Sequence, residues 1–162
     1  MNGNEIPNTL NGLDPFVCMS ALQKSIRRGL ERQAMEFAAE LAWSNPGYFG
    51  MMLNRLIVIS HEDIGLANPE AQVYTSLAVA AAKDAYQPGR PAKAMLYVGN
   101  VIRLLARSPK SREGDHFVIA VGFRPEKAPE VPDYAYDKHT RKGREMGRGL
   151  EHFRSEGAVL DN

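Results

Sequence analysis

Three consecutive ionisable side chains, His61-Glu62-Asp63, close the apolar run Leu56-Ile57-Val58-Ile59-Ser60 and are followed by Gly65 and a fresh helix start at Asn68-Pro69. A helix end carrying a histidine and two carboxylates could hold a metal or move protons. The zinc-protease pattern needs a second histidine four positions after the first, and position 65 is glycine, so that pattern fails. The simpler chemistry for Glu62 and Asp63 is to cap the next element or to pair with an arginine, with Gly65 as the helix stop. His116 (after Asp115), His139 and His152 add further ligand types, but their sequence separations do not place them together. An enzymatic reading would rest on Glu62, Asp63, His116 and His139. No Ser-His-Asp or Cys-His set can be assembled, and neither a metal nor a cofactor is called for.

Phosphate chemistry is absent in a more telling way. The sequence contains no Gly-x-x-x-x-Gly-Lys-Ser/Thr, and Gly143, Gly147 and Gly149 have the wrong order for a dinucleotide loop. Without a cradle for the β- and γ-phosphates the chain is expected not to hydrolyse ATP by itself.

Positive charge is the other candidate chemistry. The net charge is only +1, yet residues 85–112 contain no Asp or Glu while holding Arg90, Lys93, Arg103, Arg107, Lys110 and Arg112. Lys138, Arg141, Lys142, Arg144 and Arg148 form a second cluster opposed only by Glu145, and Tyr134 and Tyr136 beside it could stack on bases. Arg103, Arg107, Lys110, Arg112, Lys138, Arg141, Lys142, Arg144 and Arg148 are therefore the candidate DNA contacts. The alternative is a basic helix packing on an acidic neighbour, or a solvated face.

The elements that would position these groups read as helices. Asp14-Pro15 starts the first, with Phe16, Met19, Leu22 and Ile26 inward and Gly29 as its end. A second covers about 30–43 with Ala34, Phe37, Ala38 and Leu41 inward. The third, about 48–60, is apolar on most sides and so central. A fourth runs from Asn68-Pro69 to Tyr86, a fifth over 92–107 with Leu96, Val98, Val101, Ile102 and Leu105, and a sixth from Ser108-Pro109 to about Val121. Prolines 125, 129 and 132 predict an extended crossing, and a last helix spans 137–156. Nothing alternates with period two. The expectation is an all-α fold of about six to seven helices, organised as a flexible lead (1–13), a helical domain (14–122) and a crossing segment with a basic helical tail (123–162). At 162 residues the chain can bury a real core. Its lone cysteine, Cys18, suits that core and a reducing cytoplasmic setting. No apolar run reaches the ~20 residues of a membrane span.

Three stretches taken in order carry a family resemblance: Ser20-Ala21-Leu22-Gln23-Lys24-Ser25-Ile26-Arg27, then Arg55 through Pro69, then Leu105-Ala106-Arg107-Ser108-Pro109-Lys110-Ser111. Together they resemble the C-terminal region of the RarA/MgsA proteins, clamp-loader-like AAA+ relatives of the Werner-helicase-interacting ATPase. That family usually runs Ser straight into Glu-Asp-Ile-Gly-Leu-Ala. Here His61 intervenes, an extra residue that would turn the preceding helix by about 100° unless the helix end absorbs it. The resemblance covers roughly Val17 to Ser111, and the C-terminal portion is expected to depart from the family. It implies an assembly domain without its ATPase module: a homo-oligomer, with a tetramer favoured, serving replication, recombination or repair. The partners it implies are DNA, a single-strand-binding protein or a separate AAA+ ATPase. It also implies that Glu62, Asp63 and Gly65 are a structural or interface motif rather than catalytic.

Overall fold

The first helix begins as its residues dictate. The Asp14 carboxylate accepts the amides of Phe16 (2.7 Å) and Val17 (3.4 Å), and Pro15 takes the first helical position, where a missing N–H costs nothing. A computed structural model describes residues 6–161. Helix α1 spans Pro15–Arg27, and Gly29 (φ +73°) turns the chain into α2, Glu31–Ser44. Asn45 caps α3, Pro46–Ile59, by accepting the Tyr48 amide at 2.9 Å. A π turn (Ser60–Ile64) and a 3-10 turn (Gly65–Ala67) lead to α4, Pro69–Ala85. Helices α5, Ala92–Arg107, and α6, Glu113–Val121, follow. The chain divides after Gly122 into two compact units. The second holds a 3-10 turn (Asp133–Ala135), α7 (Arg141–Glu145), α8 (Leu150–His152) and a π turn (Phe153–Gly157). The fold is all-α, with no strand among the described residues.

In the first unit α3 touches α1, α2, α4 and α5, so it is the central helix. Met52, Leu53, Leu56 and Ile59 on it are fully enclosed. Each such Leu or Ile contributes roughly 1.5–3 kcal/mol over its exposed state. The small side chains of Ala71, Ala78 and Ala82 let α5 lie close along α4.

Three expectations need correction. Helix six starts at Glu113, not at Ser108-Pro109. Proline holds Ser108 extended (ψ 147°), and the Ser108 hydroxyl closes α5 by donating to the Leu104 carbonyl at 2.8 Å. Phe16 and Leu96 fit the inward spacing but are exposed; the buried faces are Cys18, Met19 and Leu22 on α1 and Met95, Val98 and Ile102 on α5. The long last helix is interrupted, because Gly147 takes a left-handed φ of +73° between α7 and α8. Residues 1–5 of the lead fall outside the described residues, but the remainder has definite partners. Leu10 N–H donates to Ser44 Oγ (2.8 Å), Asn11 N–H and Nδ2 donate to Glu40 (2.8 and 2.6 Å), and the Tyr48 hydroxyl donates to the Pro7 carbonyl. Burial pushes the Glu40 carboxyl up, but hydrogen bonds from Thr9 and Asn11 outweigh it and hold the group below its usual range. Helix α6 buries none of its residues.

Gly65 closes the π turn at φ +53°, ψ −139°, and a Cβ there would lie 3.3 Å from the Ser111 carbonyl oxygen. Gly65→Val is expected to lose about 1–3 kcal/mol of stability, read as a lower urea midpoint. An unchanged midpoint would show that the turn relaxes freely.

Candidate functional site

The turn that carries His61 is wide: the Gly65 N–H donates to the Ser60 carbonyl, an i→i−5 bond that gives it one residue more than an α turn. Leu56 and Ile59 before it lie in the core, while His61 is exposed.

The π turn delivers Asp63 to the inside, where its side chain is 0% exposed. Arg27 Nε donates to Asp63 Oδ1 at 2.7 Å and Gln23 Nε2 to Oδ2 at 3.0 Å, while the Ser111 N–H donates to the Asp63 backbone oxygen at 3.0 Å. Glu62 Oε1 receives Arg27 at 3.4 Å and Arg112 at 3.3 Å, and Arg112 also holds Asp115. Arg55 donates to Gln23 Oε1 at 3.3 Å, so the amide of Gln23 is fixed from both ends. Asn68 Nδ2 donates to Ser108 Oγ at 2.9 Å, and Gln72 Nε2 to the Gly65 carbonyl at 2.8 Å. The three separate stretches of sequence thus meet at one polar knot. Sequence spacing does not mark Gln23, Arg27 and Arg55 as site residues. The only available signal was that Gln23 and Arg27, four residues apart, put polar groups beside the buried face of α1.

Both carboxylates of the knot are matched by guanidinium groups, which tie α1 to the turn after α3 and that turn to the start of α6. His116 lies on α6 and His139 in the second unit, and no group of three His, Cys, Asp or Glu able to hold a metal occurs among the described residues. Lys110 Nζ donates to the Ala106 (2.9 Å) and Ser108 (2.5 Å) carbonyls and thereby closes α5. Burial pulls its pKa down, and the charge of Asp63 works against that shift.

The remaining basic candidates also have partners. Arg107 grips Glu31 with two bonds, 2.5 and 3.0 Å, and Arg103 approaches the same carboxylate at 3.4 Å. The Arg107 hydrogen bond, helped by the charges of Arg107 and Arg103, holds the Glu31 carboxyl below its usual range against a smaller effect of burial. In the second unit Arg148 donates to the Asp133 and Tyr136 carbonyls (2.7 and 3.1 Å) and to the Asp133 carboxylate at 2.5 Å. Arg144 donates to the Lys138 and His139 carbonyls at 3.2 and 3.0 Å. A Cβ on Gly143 would overlap the Asp137 carbonyl, so this glycine is required for α7 to close on the preceding turn. Lys138 sits 5.2 Å over the Phe153 ring and Lys142 5.1 Å over Tyr136, while Arg141 is opposed only by exposed Glu145 at 3.7 Å. Arg141, Lys142 and Arg144 remain open to solvent.

Comparison with known proteins bears on both units. The family model described as MgsA AAA+ ATPase C terminal matches residues 47–156. Replication-associated recombination protein A of Bacillus subtilis (strain 168) is 32% identical over 139 residues. That match covers 83% of this chain and 31% of the relative, so the chain spans about a third of that protein's length. The family pattern therefore runs past Ser111 to Glu156, through α7 and α8, and corrects the expectation that the tail departs from it.

Removing Arg27 would leave Asp63 buried with Gln23 alone. Arg27→Ala is expected to cost roughly 3 kcal/mol, the lower end of the range for breaking a buried pair because Arg27 itself is partly exposed. Chemical denaturation measures this, and a loss below about 1 kcal/mol would reduce the knot to a surface pair. A separate test addresses the second unit. Hydrogen bonding to Arg148, aided by the charges of Arg148 and His152, lowers the Asp133 pKa against a lesser effect of burial. Folding lowers this pKa, so its stabilisation is complete above the ordinary carboxylate range and is lost as pH falls through the lowered value. The protection of the Arg148 amide against exchange, relative to its intrinsic rate at each pH, should fall as pH drops below about 4, and Arg148→Ala should abolish that pH dependence.

Proposed function

The chain belongs to the MgsA AAA+ ATPase C-terminal family, and from that premise we propose that it is a non-enzymatic, self-assembling accessory of DNA replication and recombination. The observation that carries the reading is the family match itself, laid over a helical unit whose three signature stretches converge on Asp63. The role printed for the Bacillus subtilis relative, replication-associated recombination, supports the same setting. In this proposal the chain hydrolyses no ATP and works as a homo-oligomer, with a tetramer favoured. It meets DNA and a separate AAA+ ATPase or a single-strand-binding protein. No described helix is long and apolar enough to cross a membrane, so membrane-spanning helices form no part of the proposal.

The DNA face is assigned to α7. Arg141, Lys142 and Arg144 present their charge to solvent there, with Lys138 beside them. Arg148, Lys110 and Arg112 serve the fold, since their donors are committed to carbonyls or carboxylates. A second reading, assembly without DNA, is favoured by α6. Its run Phe117-Val118-Ile119-Ala120-Val121 is apolar on every side and exposed, with Phe117 at 69%. A helix of that composition is normally covered.

Light scattering behind gel filtration, with and without single-stranded DNA at low and high salt, separates the readings. The proposal expects an oligomer that takes up DNA and releases it as salt rises. It also expects Arg141→Glu with Lys142→Glu to weaken DNA binding about tenfold while leaving the melting temperature unchanged. An oligomer indifferent to DNA would favour assembly alone, and a monomer indifferent to DNA would overturn both readings.

A further inference from the structure

Where α1 and α2 pack side by side they leave an open groove of about 310 Å³, lined by Ala21, Lys24, Ser25 and Arg28 on one wall and by Gln33 and Phe37 on the other. Steps of three and four residues keep each set on one helix face. Ser25 meets Gln33, and Cys18 is close enough to Glu40 to feel its charge, so the helices run in opposite directions and Ala21 stands opposite Phe37. The buried Ser25 hydroxyl donates to Gln33 Oε1 at 3.0 Å, which orients the Gln33 amide and leaves its Nε2 donors without an acceptor among the described residues.

The positive charge of this groove is uncompensated. Lys24 Nζ donates to Ser20 Oγ at 2.6 Å and Arg28 Nη1 to the Lys24 carbonyl at 3.0 Å. Both side chains are exposed, and neither forms an ion pair among the described residues. No carboxylate lines the groove. Glu36, on the adjacent face of α2, is held by Arg32 at 2.9 Å, and Glu40, a turn beyond Phe37, accepts from Asn11. The groove therefore has a cationic end at Arg28 and an aromatic end at Phe37.

We propose that this groove holds one nucleotide of a single-stranded nucleic acid, its phosphate on Lys24 and Arg28 and its base against Phe37 over Ala21. Two cations free of carboxylates suit a phosphodiester, and Gln33 Nε2 adds a neutral donor. Phe37 offers a ring on which any base can stack, which an acidic peptide would leave unused. A duplex keeps its bases inside the stack and cannot present one to the ring. An open groove encloses a free nucleotide poorly, since small-molecule sites bury most of their ligand, whereas a strand is held on either side as well. The inference rests on the nucleic-acid part of the proposed function but uses no residue of α7, so each can fail alone.

Fluorescence anisotropy of a labelled pentathymidylate at low salt, on the full chain carrying Arg141→Glu and Lys142→Glu, isolates the groove. Saturable binding should remain. Lys24→Ala and Arg28→Ala should each weaken it about tenfold and lower the slope of log affinity against log salt by about one. Phe37→Leu should weaken it about tenfold without moving that slope, because stacking involves no counterion. A pentamer with a central iododeoxyuridine should cross-link to Phe37 on irradiation, a readout that stands if Phe37→Leu disturbs the core. Thymidine monophosphate and penta-aspartate, at the strand's own concentration, should not displace it. The proposal is overturned if the α7-substituted chain loses binding that the parent retains, a result that leaves the α7 assignment intact. Cross-links confined to the second unit, groove variants that bind like their background, or equal displacement by either competitor would overturn it too. A parent chain indifferent to the strand would overturn the groove and the α7 face together.

Discussion

A buried carboxylate without an opposing charge is among the most costly things a protein interior can contain. Asp63 is such a carboxylate, and the first unit is arranged so that it is never alone. Arg27 and Gln23 must come from α1, the Ser111 amide from the segment after α5, and the acid itself from the turn after α3. Apolar packing alone would let these helices slide by a turn with modest penalty. The Asp63 contacts permit one arrangement, because every alternative leaves an ion or an amide unpaired in the interior. Glu62 extends the constraint outward through Arg112, so the start of α6 is held in place although α6 itself buries nothing.

The helices were largely legible in the sequence because they rest on local rules: Asp14-Pro15, Asn45-Pro46 and Pro69 mark starts, and Gly29 and Gly65 mark stops. The central place of α3 followed from its being apolar nearly all round. The errors share a cause. Ser108-Pro109 has the local signature of a helix start, but a tertiary hydrogen bond from Asn68 and a local one to Leu104 recruit Ser108 to end the previous helix instead. Leu96 and Phe16 fit the inward spacing by type while lying off the buried arc. Arg27 was invisible as a site residue because its importance comes from a partner 36 positions away, and one sequence does not display such pairings.

The basic tail shows how density of charge misleads. Read as a string, Lys138 to Arg148 resembles a phosphate-binding stripe. In the structure Arg148 is spent on two backbone carbonyls and Asp133, and exposed Arg144 lends Nη1 to two more carbonyls; these bonds do for a 40-residue unit with little apolar interior what a hydrophobic core does elsewhere. Guanidinium groups are well suited to this, since five donors in a fixed plane can satisfy several carbonyls at once. The requirement for glycine at position 143 belongs to the same economy of space: α7 closes against the Asp137 carbonyl with no room for a side chain.

The wide turn at Ser60–Ile64 sorts near neighbours into opposite surroundings. Its bond from the Gly65 N–H to the Ser60 carbonyl leaves His61 facing solvent while Asp63, two residues on, lies in the interior. Position 61 can therefore change its side chain without touching the core, whereas position 63 admits only a group that accepts from Arg27 and Gln23. Tolerance and intolerance to substitution stand side by side within one turn of backbone.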